Sequence, residues 1–343
     1  MAAVDLFCGA GGLTYGLTRA GVKVGLGVDL DPACRFPIET NNSTTFLEAD
    51  VSELKPSKII SAFQGSEITL LAGCAPCQPF SSYSQSARRE SAHKDWGLLS
   101  SFSKLVLAVR PTLVTMENVP PIRNQKIFKE FVTSLHDFGY FVDFAIVDGR
   151  TIGLPQSRKR LVLVASSLGQ IAIPKSNKPI KSVRDVIAGL PKITAGTKHP
   201  DDPLHASASL SELNLERIRN SKPGGTWRDW PTKLLAACHV RETGSTYPSV
   251  YGRMEWDQPA PTITTQCFGF GNGRFGHPEQ DRAISLREAA MIQSFPKDYA
   301  FIPEGTPANF SRLGRLIGNA VPVLLGEFIG EIFVNHVDEN QVG

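Results

Sequence analysis

The fold of the N-terminal region is decided by the sequence DLFCGAGGL, which runs from Asp5 to Leu13. An apolar run, Val4 to Phe7, leads into its glycines, and a helical pattern, Gly12 to Ala20, follows them. Glycines between a strand and a helix permit a tight turn and a close approach of the backbone to a ligand. Such turns also occur without ligands, so this segment alone predicts only a strand, a turn and a helix.

The same alternation continues outward to about residue 165. The predicted strands are Val24 to Val28, Thr69 to Ala72, Leu113 to Met116, Phe141 to Val147 and Leu161 to Ala165, and the predicted helices are Leu98 to Val109 and Lys126 to Phe138. Strand–helix alternation is typical of a parallel sheet that is covered by helices on both faces. We therefore predict an α/β fold.

The character of the chain changes after about Ser166. Residues 174–260 are rich in Pro, Gly, Ser and Thr, and helical patterns there are short; further helical patterns follow toward the C-terminus. The predicted helices of this half are Val183 to Leu190, Ser211 to Arg219, Leu286 to Ser294 and Gly318 to Val334. We predict a catalytic, cofactor-binding domain of residues 1–172 and 305–343. Residues 173–304 would form a smaller, loop-rich domain with a hinge, and loops on a rigid scaffold often carry recognition.

Composition narrows the class of protein without deciding it. The chain has 343 residues, a net charge of +3 and six cysteines, too few for a disulfide framework. It has no run of 18 apolar residues and no basic region followed by an apolar stretch at its start, so we expect neither a membrane span nor a secretory signal, and a cytoplasmic location. Basic clusters at residues 88–94 and 158–160 are usually solvated surface and less often phosphate sites.

Two acidic residues extend the glycine motif. Asp29 ends the second strand about 20 residues after the glycines, where a carboxylate can accept hydrogen bonds from ribose hydroxyls. Asp50, after a third short segment, could accept from an adenine amino group. The combination indicates an adenosine-containing cofactor, and both NAD and S-adenosylmethionine fit it.

A second motif follows the strand at Thr69 to Ala72 and reads GCAPCQPFS from Gly73 to Ser81. Cys74 and Cys77 form a C-x-x-C pair, which could bind zinc or act in redox chemistry. A structural zinc site needs four ligands, and the sequence contains no second C-x-x-C pair. Cys77 could also be an inert buried cysteine. The third interpretation is a nucleophile at the carboxyl end of a parallel strand, where open sheets carry their active sites.

The next strand favours the nucleophile. It ends in Glu117, whose carboxyl group follows four apolar or weakly polar positions and is partly desolvated, which favours the protonated, hydrogen-bond-donating form. The carboxylate could instead be satisfied by neighbouring backbone amides. Together, a thiolate and a protonated carboxyl group suit attack on an electron-poor ring that needs a proton on its far side.

Nine sequence blocks in order resemble those of the cytosine carbon-5 DNA methyltransferases, especially the bacterial restriction–modification type. The blocks are DLFCGAGG at Asp5, VDLD at Val28, ADV at Ala49, APCQPFS at Ala75, MENV at Met116, GLPQSRKR at Gly153, PTITT at Pro261, REAAMIQSFP at Arg287 and GNAVP at Gly318. The resemblance covers nearly the whole chain apart from residues 174–256. It implies a Rossmann-like, S-adenosylmethionine-dependent methyltransferase sheet and a target-recognition domain.

The resemblance also implies roles for individual residues. Cys77 would be the nucleophile, Glu117 would bond cytosine nitrogen 3, and Arg160 would reach the exocyclic oxygen with support from Gln156 and Arg158. The implied cofactor-binding residues are Phe7, Gly9, Gly11, Asp29, Leu30, Asp50, Val51, Pro76, Leu99, Asn319 and Ala320. Thr262 matches the threonine that opens the family's recognition region toward the DNA backbone. Arg88, Arg89 and Lys94 lie just after the catalytic loop and would meet phosphates. Arg228 and Arg253 are candidates for base or phosphate contacts, with a solvated surface role as the alternative for each.

The family implies a monomer that binds double-stranded DNA, uses no metal and can share its site with a cognate restriction endonuclease. The sequence departs from the family at Cys74 and Ala75, where Gly-Pro or Phe is common, and at Leu30. A transfer-RNA cytosine methyltransferase and a non-catalytic DNA-binding module of the same fold are the alternatives. The Cys-Phe-Thr signature of the former is missing, and the presence of Cys77, Glu117 and Arg160 argues against the latter.

Overall fold

The structure is a computed structural model that describes residues 1–75, 91–241, 244 and 248–341, with only the backbone described for residues 91–96 and 341. The chain folds into two compact units. The first comprises Met1–Ile152, Lys159–Asn177 and Ala320–Gly343, and the second comprises Gly153–Arg158 and Lys178–Asn319. Residues 153–158 and 305–319 therefore belong to the second unit, although we expected them in the catalytic domain.

The first unit is built on a seven-stranded sheet with the order β3-β2-β1-β4-β5-β7-β6. Its strands are β1 (Ala2–Leu6), β2 (Lys23–Asp29), β3 (Thr45–Glu48), β4 (Thr69–Gly73), β5 (Leu113–Asn118), β6 (Phe141–Asp148) and β7 (Lys159–Ser166). β1 to β5 pair in parallel, and β7 runs antiparallel to both β5 and β6. The chain changes direction across the sheet between β1 and β4, and ligands of open α/β sheets bind beside that point.

Helices cover both faces of this sheet, as the sequence predicts. They are α1 (Gly12–Arg19), α2 (Arg35–Asn41), α3 (Pro56–Ala62), α4 (Ser91–Val109), α5 (Lys126–Asp137) and α10 (Val323–Gln341). Apolar side chains that alternate along the central strands form two separate cores, one on each face. Because these strands are buried on both faces, their sequences are nearly continuous apolar runs.

The second unit has short elements joined by long loops. They are α6 (Arg184–Ile187), β8 (Lys198–His199), β9 (Asp202–Ala206), α7 (Glu212–Arg219), α8 (Leu286–Ile292) and α9 (Phe310–Asn319). β8 and β9 form a two-stranded antiparallel sheet. A small core of its own contains Ile218, Trp227, Trp230, Leu234, Phe270 and Ala283.

The predicted continuous helix from Gly318 to Val334 is wrong. α9 ends at Asn319 and α10 begins at Val323, because Pro322 lacks an N–H and its ring would clash with the preceding turn of a continuing helix. The stretch Phe310–Asn340 is long and apolar enough to cross a membrane, but 72% of its most apolar window is buried inside the protein. Such burial is typical of core helices in soluble proteins, so this stretch is weak evidence for a membrane span.

Candidate active site

Glu117 and Arg160 form a buried ion pair at the end of the sheet where the parallel strands terminate. Glu117 pairs with Val162 across β5 and β7, and Arg160 lies two residues from Val162 on the same face. Such diagonal neighbours are within reach of long side chains. Arg160 Nε lies 2.8 Å from Glu117 Oε1, and the two side chains are 15% and 3% exposed. The antiparallel β7 thus places the guanidinium beside a carboxyl group near the end of the parallel strand β5.

Two residues that the sequence analysis did not assign also contact this pair or its surroundings. The thiol of Cys74, which follows β4, donates a hydrogen bond to Glu117 Oε2 at 2.8 Å. On the other face, Asn118 Nδ2 donates to the carbonyl oxygen of Ala75 at 3.0 Å. Asn118 therefore fixes the backbone two residues before Cys77. The Glu-Asn-Val sequence predicts the end of this strand, but only the structure shows that the Asn118 amide binds the loop after β4.

The predicted nucleophile Cys77 and its neighbour Pro76 lie outside the described residues. The same holds for Arg88 and Arg89 and for the side chain of Lys94. The roles assigned to these five residues remain predictions that the described part of the chain does not address.

The glycine loop after β1 has the backbone that the sequence requires. Phe7, Gly9 and Gly11 have φ values of 61°, 52° and 85°, in the left-handed region. Phe7 is not a glycine, and this conformation costs it roughly 1–2 kcal/mol, a kind of strain that is often found at binding sites. A Cβ atom built on Gly9 would have no atom within 4 Å, so the loop leaves open space on that side. The space and the turn fit a ligand that approaches the backbone closely.

Asp29 and Asp50 are oriented by hydrogen bonds at the ends of neighbouring segments. Asp29 accepts from the N–H groups of Gly9 and Asp31, both at 2.9 Å. Burial raises the pKa of the Asp29 carboxyl, whereas those N–H groups lower it. Asp50 Oδ1 accepts from the hydroxyl and the N–H of Ser52, which lower its pKa. An oriented carboxylate beside the open glycine loop suits the hydroxyl pair of a ribose.

The remaining predicted cofactor residues differ in exposure. Val51 and Leu99 are 3% and 2% exposed and belong to one core of the sheet, whereas Leu30 is 66% exposed. Ala320 is buried in the first unit, and Asn319 is an exposed residue at the end of α9 in the second unit. Their contacts with a cofactor stay predictions.

Gln156 and Arg158 belong to the second unit, where they hold the segment that begins at Pro261. Gln156 Oε1 accepts from the N–H of Ile263 at 2.8 Å, and its Nε2 donates to Gln293 Oε1 at 2.8 Å. Arg158 donates to the carbonyl oxygen of Ile263 at 3.0 Å. Both side chains are buried, with exposures of 0% and 4%, so their role within this unit is structural support.

Thr262 lies in the same segment, and its hydroxyl donates to the carbonyl oxygen of Ser157 at 2.7 Å. Arg228 is exposed, with its guanidinium 5.4 Å from the ring centre of Trp227. Their contacts with DNA stay predictions.

The expected contact of Arg253 with DNA conflicts with its position. Its side chain is 5% exposed, and the guanidinium donates to the carbonyl oxygens of Ile218, His277 and Gln280 and to the carboxylate of Asp281. All of its nitrogen donors are used inside the second unit. We therefore correct its role to that of a residue that holds loops together.

Comparison with known proteins identifies the family. Residues 1–335 match the family model of the C-5 cytosine-specific DNA methylases. The chain is 48% identical over 336 residues to the Type II methylase M.HgiDII of Herpetosiphon aurantiacus, which covers 96% of this chain and 94% of the relative. It is 32% identical over 354 residues to the Type II methyltransferase M1.BsuMI of Bacillus subtilis, with 93% and 77% of the two chains covered.

Solved structures share the fold at lower identity. An Escherichia coli prophage protein described as a DNA modification methyltransferase has a TM-score of 0.74 and 22% identity, with 98% of this chain and 99% of that chain covered. The Dnmt2 methyltransferase of S. pombe has a TM-score of 0.62 and 15% identity, with 98% and 99% covered. At these identities the likeness shows the fold alone. The match to the family model, which spans nearly the whole chain, establishes that this protein belongs to the C-5 cytosine-specific DNA methylase family and is an enzyme of the DNA (cytosine-5-)-methyltransferase class.

Proposed function

We propose that this enzyme methylates carbon 5 of a cytosine within a short specific site in double-stranded DNA, with Cys77 as the nucleophile and Glu117 and Arg160 as the groups that stabilise the activated ring. The observation that carries the assignment is the buried pair of Glu117 and Arg160, 2.8 Å apart. The pair lies beside the strand end from which the Cys77 loop departs.

The chemistry follows from the poor reactivity of cytosine carbon 5. The Cys77 thiolate adds to carbon 6, which breaks the aromatic conjugation and makes carbon 5 nucleophilic. Glu117 donates a proton at nitrogen 3, and the Arg160 guanidinium stabilises charge at the exocyclic oxygen. After methyl transfer, carbon 5 loses its proton to water or hydroxide, elimination expels the Cys77 thiolate, and the proton on nitrogen 3 returns to Glu117. Carbon 6 is inaccessible in a stacked duplex, so the base must first be flipped out, at a cost of roughly a few kcal/mol.

The methyl donor in this proposal is S-adenosyl-L-methionine, which carries its methyl group on a sulfonium and leaves as S-adenosyl-L-homocysteine. The open side of Gly9 and the oriented carboxylates of Asp29 and Asp50 fit its adenosine part. Asp29 would accept from the ribose hydroxyls and Asp50 from the adenine amino group, while Phe7 would pack against the adenine ring.

We further propose that the protein works as a monomer in the cytoplasm and protects host DNA in a restriction–modification system. The Type II methylases among its relatives support this setting. A restriction endonuclease that cleaves the same unmethylated site would then be its functional counterpart.

Incubation with tritiated S-adenosylmethionine and either duplex DNA or transfer RNA tests the proposal. We expect label in DNA alone, and bisulfite sequencing should find one methylated cytosine in a repeated short sequence. Label in transfer RNA alone would contradict the substrate. The absence of label from both nucleic acids would favour a module that binds DNA without catalysis.

A further inference from the structure

Cys74 contacts the carboxyl group on which the proposed chemistry depends. It follows β4, and the alternation of that strand places it on the same face of the sheet as Leu70 and Ala72. Glu117, from the neighbouring β5, projects to this face as well, and the Cys74 sulfur lies 2.8 Å from Oε2. The contact is therefore a consequence of the parallel register of the two strands.

The two oxygens of Glu117 have different surroundings. Oε2 accepts the thiol of Cys74, whereas Oε1 is buried and has no hydrogen-bond partner among the described residues. Arg160 Nε is 2.8 Å from Oε1 in an ion pair that lacks hydrogen-bond alignment, and its Nη1 donates to the carbonyl oxygen of Lys159. Oε1 thus keeps hydrogen-bonding capacity at a buried position.

A carboxyl group that protonates a ring nitrogen must present one particular oxygen. The terminal torsion of a glutamate side chain is broad and roughly two-fold, so its own rotamer preference does not select that oxygen. A hydrogen-bond donor on Oε2 selects Oε1 for this task, because Oε2 is already engaged as an acceptor. Positioning of this kind contributes to catalysis by removing unproductive orientations.

We propose that Cys74 is a positioning residue for Glu117: its thiol holds Oε2 and leaves Oε1 to bond nitrogen 3 of the flipped cytosine. The inference rests on the proposed function, which supplies the role of Glu117. Cys74 undergoes no covalent change in this scheme. It acts only through a hydrogen bond, so another donor of similar size should replace it.

Four variants separate a donor role from a packing role. Cys74→Ala removes the donor, Cys74→Val removes it while it fills the volume, and Cys74→Ser keeps a hydroxyl donor. Cys238→Ala is the control, since Cys238 is an exposed thiol in the second unit. Single-turnover methylation of unmethylated bacteriophage duplex DNA gives the rate, and titration with S-adenosylmethionine gives the cofactor KM.

We expect the rates of Cys74→Ala and Cys74→Val to fall about tenfold, the loss expected when one hydrogen bond from a weak donor is removed in a buried site. Cys74→Ser should stay within about threefold of the wild-type rate, and the cofactor KM should hardly change. Wild-type rates in Cys74→Val, or equal losses in Cys74→Val and Cys74→Ser, would overturn the inference. If Cys74→Ala does not fold, the Val and Ser variants decide. A wild-type enzyme that labels no DNA would refute the proposed function instead.

Discussion

Both units bury ionisable side chains, but their hydrogen bonding differs. In the second unit, Arg282 and Glu288 are 0% and 1% exposed and form two hydrogen bonds of 2.7 Å with each other. In the first unit, Asp5 Oδ1 and Glu117 Oε1 are buried with no hydrogen-bond partner among the described residues. A buried acceptor without a partner costs roughly 1–3 kcal/mol. The second unit thus uses these charges to hold loops, whereas the first unit keeps these two acceptor oxygens without a hydrogen bond from the described residues, and one of them, Glu117 Oε1, faces the Arg160 guanidinium at 2.8 Å.

The pairing in the second unit extends beyond one ion pair. Arg287 forms two hydrogen bonds with Asp202, at 2.7 and 3.0 Å, and Arg253 is satisfied on all sides. His239 Nε2 is an exception, since it is buried without a hydrogen-bond partner among the described residues. Burial and the charge of Arg217 lower the pKa of His239, so this exception is a neutral ring. The comparison therefore rests on the named ion pairs, and it predicts different consequences of substitution in the two units.

The largest effect should come from breaking the buried pair of the second unit. Arg282→Met leaves Glu288 as an unpaired charge in the core, and such losses cost about 3–5 kcal/mol of unfolding free energy. Urea unfolding followed by tryptophan fluorescence measures it, because Trp227, Trp230 and Trp256 lie in this unit. Arg184→Met, which removes an exposed pair with Asp257, is the matched control and should change stability little. Equal stabilities of the two variants would break the comparison.

The next effect concerns ligand binding in the first unit. Asp29→Asn removes a charged acceptor at the glycine loop, and we expect affinity for S-adenosylhomocysteine to fall about 10–100-fold. Isothermal titration calorimetry measures the affinity. Thermal unfolding without ligand should change much less than in Arg282→Met, since the amide oxygen can still accept from Gly9 or Asp31. Unchanged affinity would remove Asp29 from the cofactor site.

A smaller effect on stability than that of Arg282→Met should appear as a pH dependence. Burial raises the pKa of Asp5 from 3.8 to about 7, against the hydrogen bond from Thr14, which lowers it. The folded protein therefore holds a proton that the unfolded chain releases near pH 4, and the free energy of unfolding falls as pH rises from about 4 through 7. Asp5→Asn cannot ionise, so its stability relative to the wild type should increase by about 2–3 kcal/mol from pH 5 to pH 8.

Urea unfolding followed by circular dichroism at the two pH values measures this difference. A stability difference that is the same at pH 5 and pH 8 would show that Asp5 does not change its charge in the folded protein over this range. Asp31→Asn is a suitable control, since Asp31 lies two residues after Asp29 and caps the turn at Ala33.

The strands of the sheet could be predicted closely from the sequence, whereas the contacts of individual polar side chains could not. The six predicted strands agree with β1, β2 and β4–β7 to within two residues at each end. β3, a four-residue edge strand, was not predicted, because so short a run has no clear periodicity. Pro322 also breaks a helix whose apolar pattern continues through it.

Site residues that belong to a sequence motif could be predicted, whereas contacts that depend on the register of the strands could not. Glu117 and Arg160 follow from sequence blocks, and the structure brings them together. Cys74 contacts Glu117 only because β4 and β5 are adjacent and in parallel register. Arg253 carries the same charge as a DNA-contacting arginine, and a sequence without coordinates does not distinguish a guanidinium that faces solvent from one that binds carbonyl oxygens.

Covalent trapping tests the central claim most directly. Duplex DNA that contains 5-fluorocytosine cannot lose a proton from carbon 5, so addition and methyl transfer should leave the enzyme attached to the base. Incubation with S-adenosylmethionine followed by peptide mass mapping should find the adduct at Cys77, and Cys77→Ser should fold and bind cofactor but form none. An adduct at another cysteine, or methylation by Cys77→Ser at the wild-type rate, would contradict the account.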